Sequence, residues 1–206
     1  EDSVGNDFAE VRPASLSGYV YHDADNDGVF DPEEQGIGGV LIRVPCADQA
    51  GLPAPTIEVF TDPSGFWLAD FLMPGDYWVE EVQPAGYLDG IDSAGTAGGA
   101  AHNPGDSIDG IHLHSGQAGV HYDFGELQPA SIAGRVFVDP DDDGAFSPGH
   151  TPLAGVTVYL LDASGTQLRT TATDAWGKYR FDGLAPGTYG VEEVQPQEYL
   201  DGKDVV

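Results

Sequence analysis

Lysine and arginine are the scarce residues of this chain: 7 in 206 positions, against 35 aspartates and glutamates. A formal net charge of −28 sets the chain against phosphate backbones and anionic membrane surfaces, which its field repels. Nucleic acid is therefore not an expected partner, whereas cations are. Cysteine is scarcer still. Cys46 stands alone, so no disulfide can close within the chain, and it reads as a small buried hydrophobe at a strand end. No run approaches the ~20 apolar residues that a membrane-spanning helix needs, so no membrane insertion is expected of this segment. Phosphate loops, basic patches and supported Ser/His/Asp or Cys/His arrangements are all missing, which argues against an enzyme. So acidic a chain could be disordered, but 40% hydrophobic and 10% aromatic content is enough to build a core.

What the chain does have is an internal repeat. ASLSGYVYHDADNDGVF at Ala14 recurs as ASIAGRVFVDPDDDGAF at Ala130, an offset of 116. TDPSGFW at Thr61 recurs as TDAWGKY at Thr173, and MPGDYWVEEVQPAGYLDG at Met73 as APGTYGVEEVQPQEYLDG at Ala185, both at an offset of 112. VGNDFAEVRPAS at Val4 matches VHYDFGELQPAS at Val120. Three segments are expected: residues 1–12 as the last strand of a preceding repeat, 13–128 as a complete repeat, and 129–206 as a second repeat lacking its C-terminal part. The chain is then either a window on a longer array or a subunit whose first residues complete the open domain of another copy. The junctions VRPAS and LQPAS are short and carry Pro13 and Pro129, which makes them stiff hinges.

The local pattern is β throughout. LSGYVY and IAGRVF alternate, with Leu16, Val20, Ile132 and Val136 on one face. GVLIRV and GVTVYLL are β-branched and apolar, and glycine-containing turn pairs punctuate the segments. No helical period is sustained. The fold class is all-β: tandem sandwiches of about seven strands each.

Six carboxylates crowd the twelve positions from Asp23 to Glu34. They fit the calcium-loop pattern D-x-[DN]-x-[DN]-G-x5-E. Asp23, Asp25 and Asp27 occupy loop positions 1, 3 and 5, and Gly28 the sharp turn at 6. Val29 offers its carbonyl at 7, Asp31 ligates at 9, directly or through water, and Glu34 closes the shell at 12. Two carboxylates ~4 Å apart repel by about 4 kcal/mol at an effective dielectric near 20, so such a loop calls for a cation, and hard oxygen donors select Ca²⁺. The second copy is degraded. Asp139, Asp141, Asp143 and Ala145 keep positions 1, 3, 5 and 7, but Ser147 takes position 9 and His150 takes position 12. A weaker Ca²⁺ site is expected there, since imidazole nitrogen is a poor calcium ligand. Strands, not helices, flank both loops, so each loop is expected to clip the first two strands of a sandwich together.

GYVYHDADNDGVFDPEEQGIGGVLIRV, TDPSGFW, MPGDYWVEEVQPAGYLDG and YDFGEL, taken in order, resemble the SdrD B-like repeats, which are related to the Cna B-type and transthyretin-like sandwiches. The resemblance implies a calcium-binding, tandemly repeated stalk module of an extracellular bacterial surface protein, with further calcium ions whose ligands it does not locate. Its partners would be neighbouring repeats or copies of itself, with a host or matrix glycan or protein as adhesion ligand. A head-to-tail filament subunit, with residues 1–11 donated to a neighbour, and a carbohydrate-binding adhesin are the alternatives.

Three other groups stand out. His112 and His114 share a strand face and could meet His121. Glu80–Glu81 and Glu192–Glu193 are adjacent in strands and so point to opposite faces, which rules out facing acid/base dyads. Trp78 shares its face with Glu80 and could stack on a sugar; its counterpart in the second copy is Gly190. Many Cna B-type domains carry a Lys–Asn isopeptide bond, but Lys178 and Lys203 are the only lysines and neither lies in a first strand. The intact mass is therefore predicted to equal that of the sequence; a deficit of one ammonia per domain would contradict this.

Overall fold

The computed structural model describes residues 7–46 and 56–204. They form two compact units, Glu1–Gln128 and Pro129–Val206. All regular structure among them is β. Unit 1 holds β1 (Ala14–His22), β2 (Gln35–Gly36), β3 (Leu41–Val44), β4 (Ile57–Phe60), β5 (Phe66–Leu72), β6 (Gly75–Glu81), β7 (Leu88–Asp89), β8 (Ala100–His102), β9 (Ser107–Leu113), β10 (Ala118–Gly119) and β11 (Phe124–Leu127). Unit 2 holds β12 (Ala130–Arg135), β13 (Phe137–Val138), β14 (Thr151–Pro152), β15 (Thr157–Asp162), β16 (Gln167–Ala172), β17 (Lys178–Leu184) and β18 (Tyr189–Glu193).

Unit 1 is a two-layer sandwich. β1 runs through the first layer, pairing β5 and β10 along its first half and β2 and β11 along its second. The second layer is ordered β4-β3-β6-β9-β8. Leu16, Val20, Trp67, Leu72, Tyr122 and Phe124 from the first layer meet Ile42, Val44, Val79, Ile108, Ile111 and Leu113 from the second in one buried core. Alternation supplies these contacts, because every second residue of a strand faces inward. The approach of β1 to the segment before β11 is so close that a side chain at Gly18 would overlap the Tyr122 carbonyl, 1.8 Å from the position of its Cβ.

The apolar run after the acidic loop is not one strand, as expected, but two. β2 stays in the first layer, and the chain then turns through Gly38 and Gly39 (φ 81°) to enter β3 in the second. Left-handed backbone comes at little cost at glycine, and here it lets the chain change sheets. Of the predicted N-terminal strand, residues 1–6 lie outside the described residues. Asp7–Pro13 is exposed and carries no strand; Arg12 exchanges hydrogen bonds with Ser115 and Gly116.

Unit 2 repeats the plan of β1–β6. β12 pairs β17, β13 pairs β14, and β15 lies between β16 and β18. Val158, Leu160, Phe181 and Leu184 form its core. Among the described residues β18 has a partner strand on one edge only. Val191 on it is 40% exposed, where the equivalent Val79 is wholly buried.

Candidate metal centre

The first acidic loop joins β1 to β2, whose pairing (Tyr21 with Gly36, His22 with Gln35) closes it at the base. Its tip is anchored by Phe30, whose ring lies 5.0 Å from that of Tyr19 and 4.8 Å from that of Tyr21. Asp23 is fully buried. Its carboxylate accepts hydrogen bonds from the Asp27 amide (3.1 Å) and the Gly28 amide (2.8 Å). Gly28 holds φ 76°, and the Ser93 hydroxyl donates to its carbonyl from the far side of the unit's sequence. One oxygen each of Asp23, Asp25 and Asp27 lies within 4.8 Å of the others. Asp25 is held above the usual carboxylate range, first by the charge of Asp27.

Asp31 and Glu34 fall outside that group. Glu34 accepts hydrogen bonds from the Ala24 amide (2.7 Å) and the Asp31 amide (3.0 Å), so its carboxylate straps the two ends of the loop. The Val29 amide donates to Asp27, and the Val29 side chain faces solvent.

The second loop keeps this design with one exchange. The Gly144 amide donates to Asp139 and the Ala145 amide to Asp143. His150 occupies the place of Glu34: the Ser147 amide points at its Nδ1 (3.4 Å), as the Asp31 amide points at Glu34. Its ring stacks on Phe137 at 5.7 Å and lies 3.6 Å from Asp141 through Nε2. Asp139, Asp141 and His150 come within 4.8 Å of one another, and Asp143 and Ser147 stay outside. The imidazole thus replaces a loop strap and a hard oxygen donor at once.

A third group escaped sequence reasoning. Glu81 at the end of β6, Asp106 before β9 and Glu126 on β11 bring one oxygen each within 4.8 Å of the others. Asp89 and Asp92 flank them. Glu126 is fully buried, Asp92 is 4% exposed and Glu81 6%. Both oxygens of Glu81, both of Asp92, and one each of Asp89 and Glu126 are buried with no hydrogen-bond partner. Gln83 donates to the other Glu126 oxygen. Among the described residues no lysine or arginine pairs with any of them. Burial, then mutual repulsion, pushes Glu81 up; burial does the same to Glu126. Asp92 is pushed up to about 8, by burial first and by Asp89 next. Buried carboxylates are stable when paired or metal-bound, and among the described residues these have no lysine or arginine partner and few donors: Gln83 on Glu126 and the Gly105 amide on Asp89. The signal was in the repeat: Glu81, Asp89 and Asp92 recur as Glu193, Asp201 and Asp204. The two sites of unit 1 adjoin across the pairing of β1 with β11, where the Asp23 amide donates to the Glu126 carbonyl (2.9 Å).

The remaining candidates divide. His112 and His114 lie edge to face at 4.8 Å, but His112 is bonded to Asp76, and the charge partner of His121 is Asp123. Trp78 is half-buried, with its indole N–H on Glu80 (3.0 Å). Cys46 is half-buried against the core.

The SdrD B-like domain matches residues 14–126 and again 130–204. Over 214 residues the chain is 30% identical to serine-aspartate repeat-containing protein D of Staphylococcus aureus strain Newman, covering 97% of this chain and 15% of that protein. It is 32% identical over 197 residues to serine-aspartate repeat-containing protein F of Staphylococcus epidermidis, covering 89% and 11%. The chain therefore spans a small fraction of either relative. Among solved structures, the minor pilin GBS52 of Streptococcus agalactiae aligns at 16% identity and a TM-score of 0.40, over 90% of this chain and 84% of the pilin.

The raised carboxylates make a signed prediction for chelated protein. Between the ordinary carboxylate value of ~4 and the raised folded values, the folded state holds more protons than the unfolded one, so stability falls as pH rises. In chelator, the melting temperature of unit 1 should decline from about pH 5 to about pH 8, and Glu81→Gln should flatten that decline. A melting temperature that is level or rising over this interval in the unmutated chain would contradict it.

Proposed function

The chain belongs to the SdrD B-like domain family, and we propose that it serves as a non-enzymatic, calcium-stiffened β-sandwich repeat of a bacterial surface protein. The observation that carries this reading is the set of buried, unpartnered carboxylate oxygens on Glu81, Asp92 and Glu126, beside a loop that matches a calcium pattern at every fixed position. Both sites offer only oxygen donors, in the number and flexible geometry that Ca²⁺ accepts. Asp23, Asp25 and Asp27 would hold one ion, with Val29, Asp31 and Glu34 completing its shell. Glu81, Asp106 and Glu126 would hold another, with Asp89 and Asp92 near it. The second unit would bind more weakly at Asp139, Asp141 and Asp143, with Ala145 and Ser147 in support.

The mechanism is linkage of binding to order. A ligand that binds only the folded state adds roughly 2.7 kcal/mol at a hundredfold excess over its Kd. The location of the sites decides what that energy fixes. One ion would hold the β1–β2 connection. The other would join the end of β6 in one layer to β11 in the other. A repeat so braced resists bending and proteolysis, which suits a stalk on a cell surface.

Calcium should raise the melting temperature of unit 1 by roughly 10 °C or more at saturating ion, and chelation should reverse the rise. Asp23→Asn and Glu81→Gln should each remove part of the gain, while Asp139→Asn leaves unit 1 untouched. Unchanged melting and protease resistance after chelation would sink the proposal.

The open edge of β18, with Val191 exposed, favours a second reading: assembly of copies by strand donation from residues 1–11. Sedimentation should then show concentration-dependent oligomers that vanish when those residues are deleted. A full chain that stays monomeric at millimolar concentration rejects it.

A further inference from the structure

The two units differ at one equivalent surface. In unit 1, Tyr19 pairs with Phe66 across β1 and β5, and the Tyr19 ring packs on Phe30 (5.0 Å) and on Phe66 (5.3 Å). The three aromatic rings close that surface over. In unit 2 the same three positions are Arg135, Phe146 and Lys178. Arg135 pairs directly with Lys178 across β12 and β17, and the Arg135 guanidinium lies 3.9 Å from the centre of the Phe146 ring. Like charges set opposite each other on a sheet are destabilising. The chain carries five times more acids than bases, yet among the described residues no carboxylate lies within 4.0 Å of either cation.

Beside them stands Trp176, 68% exposed, where unit 1 has Ser64. Both residues ride on the same turn. The Ser64 amide donates to Asp62 and the Trp176 amide to Asp174, so the tryptophan backbone is fixed before any ligand arrives. Arg135, Phe146, Pro152, Trp176 and Lys178 line a groove of about 410 Å³, a volume in the range of small-ligand sites. Stacking on Phe146 occupies the face of the Arg135 guanidinium and leaves its in-plane N–H fork free for a carboxylate.

We propose that this groove binds a carboxylate-bearing sugar, with its apolar ring face on Trp176 and its carboxylate between Arg135 and Lys178. The net charge of −28 decides between a sugar and an acidic peptide. A polyanion must approach against the whole field of the chain, whereas a singly charged sugar faces far less repulsion and gains as much from the two local cations. Unit 1, closed by its aromatic cluster, does not share the site.

The test titrates the full chain, in calcium-containing buffer, with N-acetylneuraminic acid and with glucuronic acid. Galactose serves as the neutral control and poly-glutamate as the acidic peptide. Amide NMR shifts and tryptophan fluorescence report the site. Shifts confined to the strands and turns around Trp176 are expected. An acidic sugar should bind at least tenfold tighter than galactose. Trp176→Ser and the double variant Arg135→Tyr/Lys178→Phe, which install the unit 1 residues, should each abolish binding while the remaining spectrum persists. The proposal is overturned by no binding of either acidic sugar at millimolar concentration, by equal binding of galactose, by binding retained in both variants, or by poly-glutamate binding in place of the sugars.

Discussion

Buried carboxylates converge in unit 1, and among the described residues no lysine or arginine meets them. Asp23, Glu81, Asp92 and Glu126 are all buried, and most of the oxygens of the last three have no hydrogen-bond donor. A buried anion in that state costs several kcal/mol after relaxation. The chain cannot lower the cost from within, because only Arg12 and Arg43 fall among residues 1–128. The architecture of unit 1 places these groups at two connections of the sandwich. One set closes the link from β1 to β2. The other joins the ends of β6 and β11, which belong to opposite layers. The two sets are connected through the pairing of β1 with β11, where the Asp23 amide donates to the Glu126 carbonyl, and through the Ser93 hydroxyl on the Gly28 carbonyl.

Duplication shows which parts of this design tolerate change. Aromatic anchoring of the loop survives in both units, as Phe30 on Tyr19 and Tyr21, and as Phe146 on Phe137 at 5.3 Å. The turn that holds Gly28 at φ 76° and Gly144 at φ 79° survives too. What changes is the closing group and the outer surface. His150 fills the position of Glu34 and keeps the contact to the loop amide, but it trades an anionic oxygen pair for nitrogen. Arg135 and Lys178 replace Tyr19 and Phe66, turning a closed aromatic surface into an open basic one. The framework is thus held while the closing group and the outer surface differ.

The loops were legible in the sequence because every part of the pattern lies within twelve residues, and glycine at position 6 is required by the turn itself. The sandwich was legible from strand alternation and the repeat. The cluster at Glu81, Asp106 and Glu126 was not, because its members come from three separated segments, brought together by the pairing of β6 with β9 and by the packing of that sheet against the one that holds β11. Glu81 was seen in sequence as half of an adjacent pair and dismissed as a dyad, correctly, since Glu80 faces the other way. Its partner lies 45 positions further on, at Glu126. Local reading also ran QGIGGVLIRV on as one strand after the loop, where the turn at Gly38 and Gly39 divides β2 from β3 and sends the chain to the second layer. Trp78 drew attention as an aromatic beside a glutamate, and its indole N–H proves to be bound to that glutamate. The exposed tryptophan is Trp176, which only comparison of equivalent surfaces brings forward.

Anomalous X-ray scattering from crystals grown in calcium tests the central claim most directly, because it counts ions and locates them. The account predicts separate peaks in unit 1, one among Asp23, Asp25 and Asp27 and one among Glu81, Asp106 and Glu126. A single peak at the loop, with the Glu81 cluster empty and its carboxylates sharing protons, would contradict it.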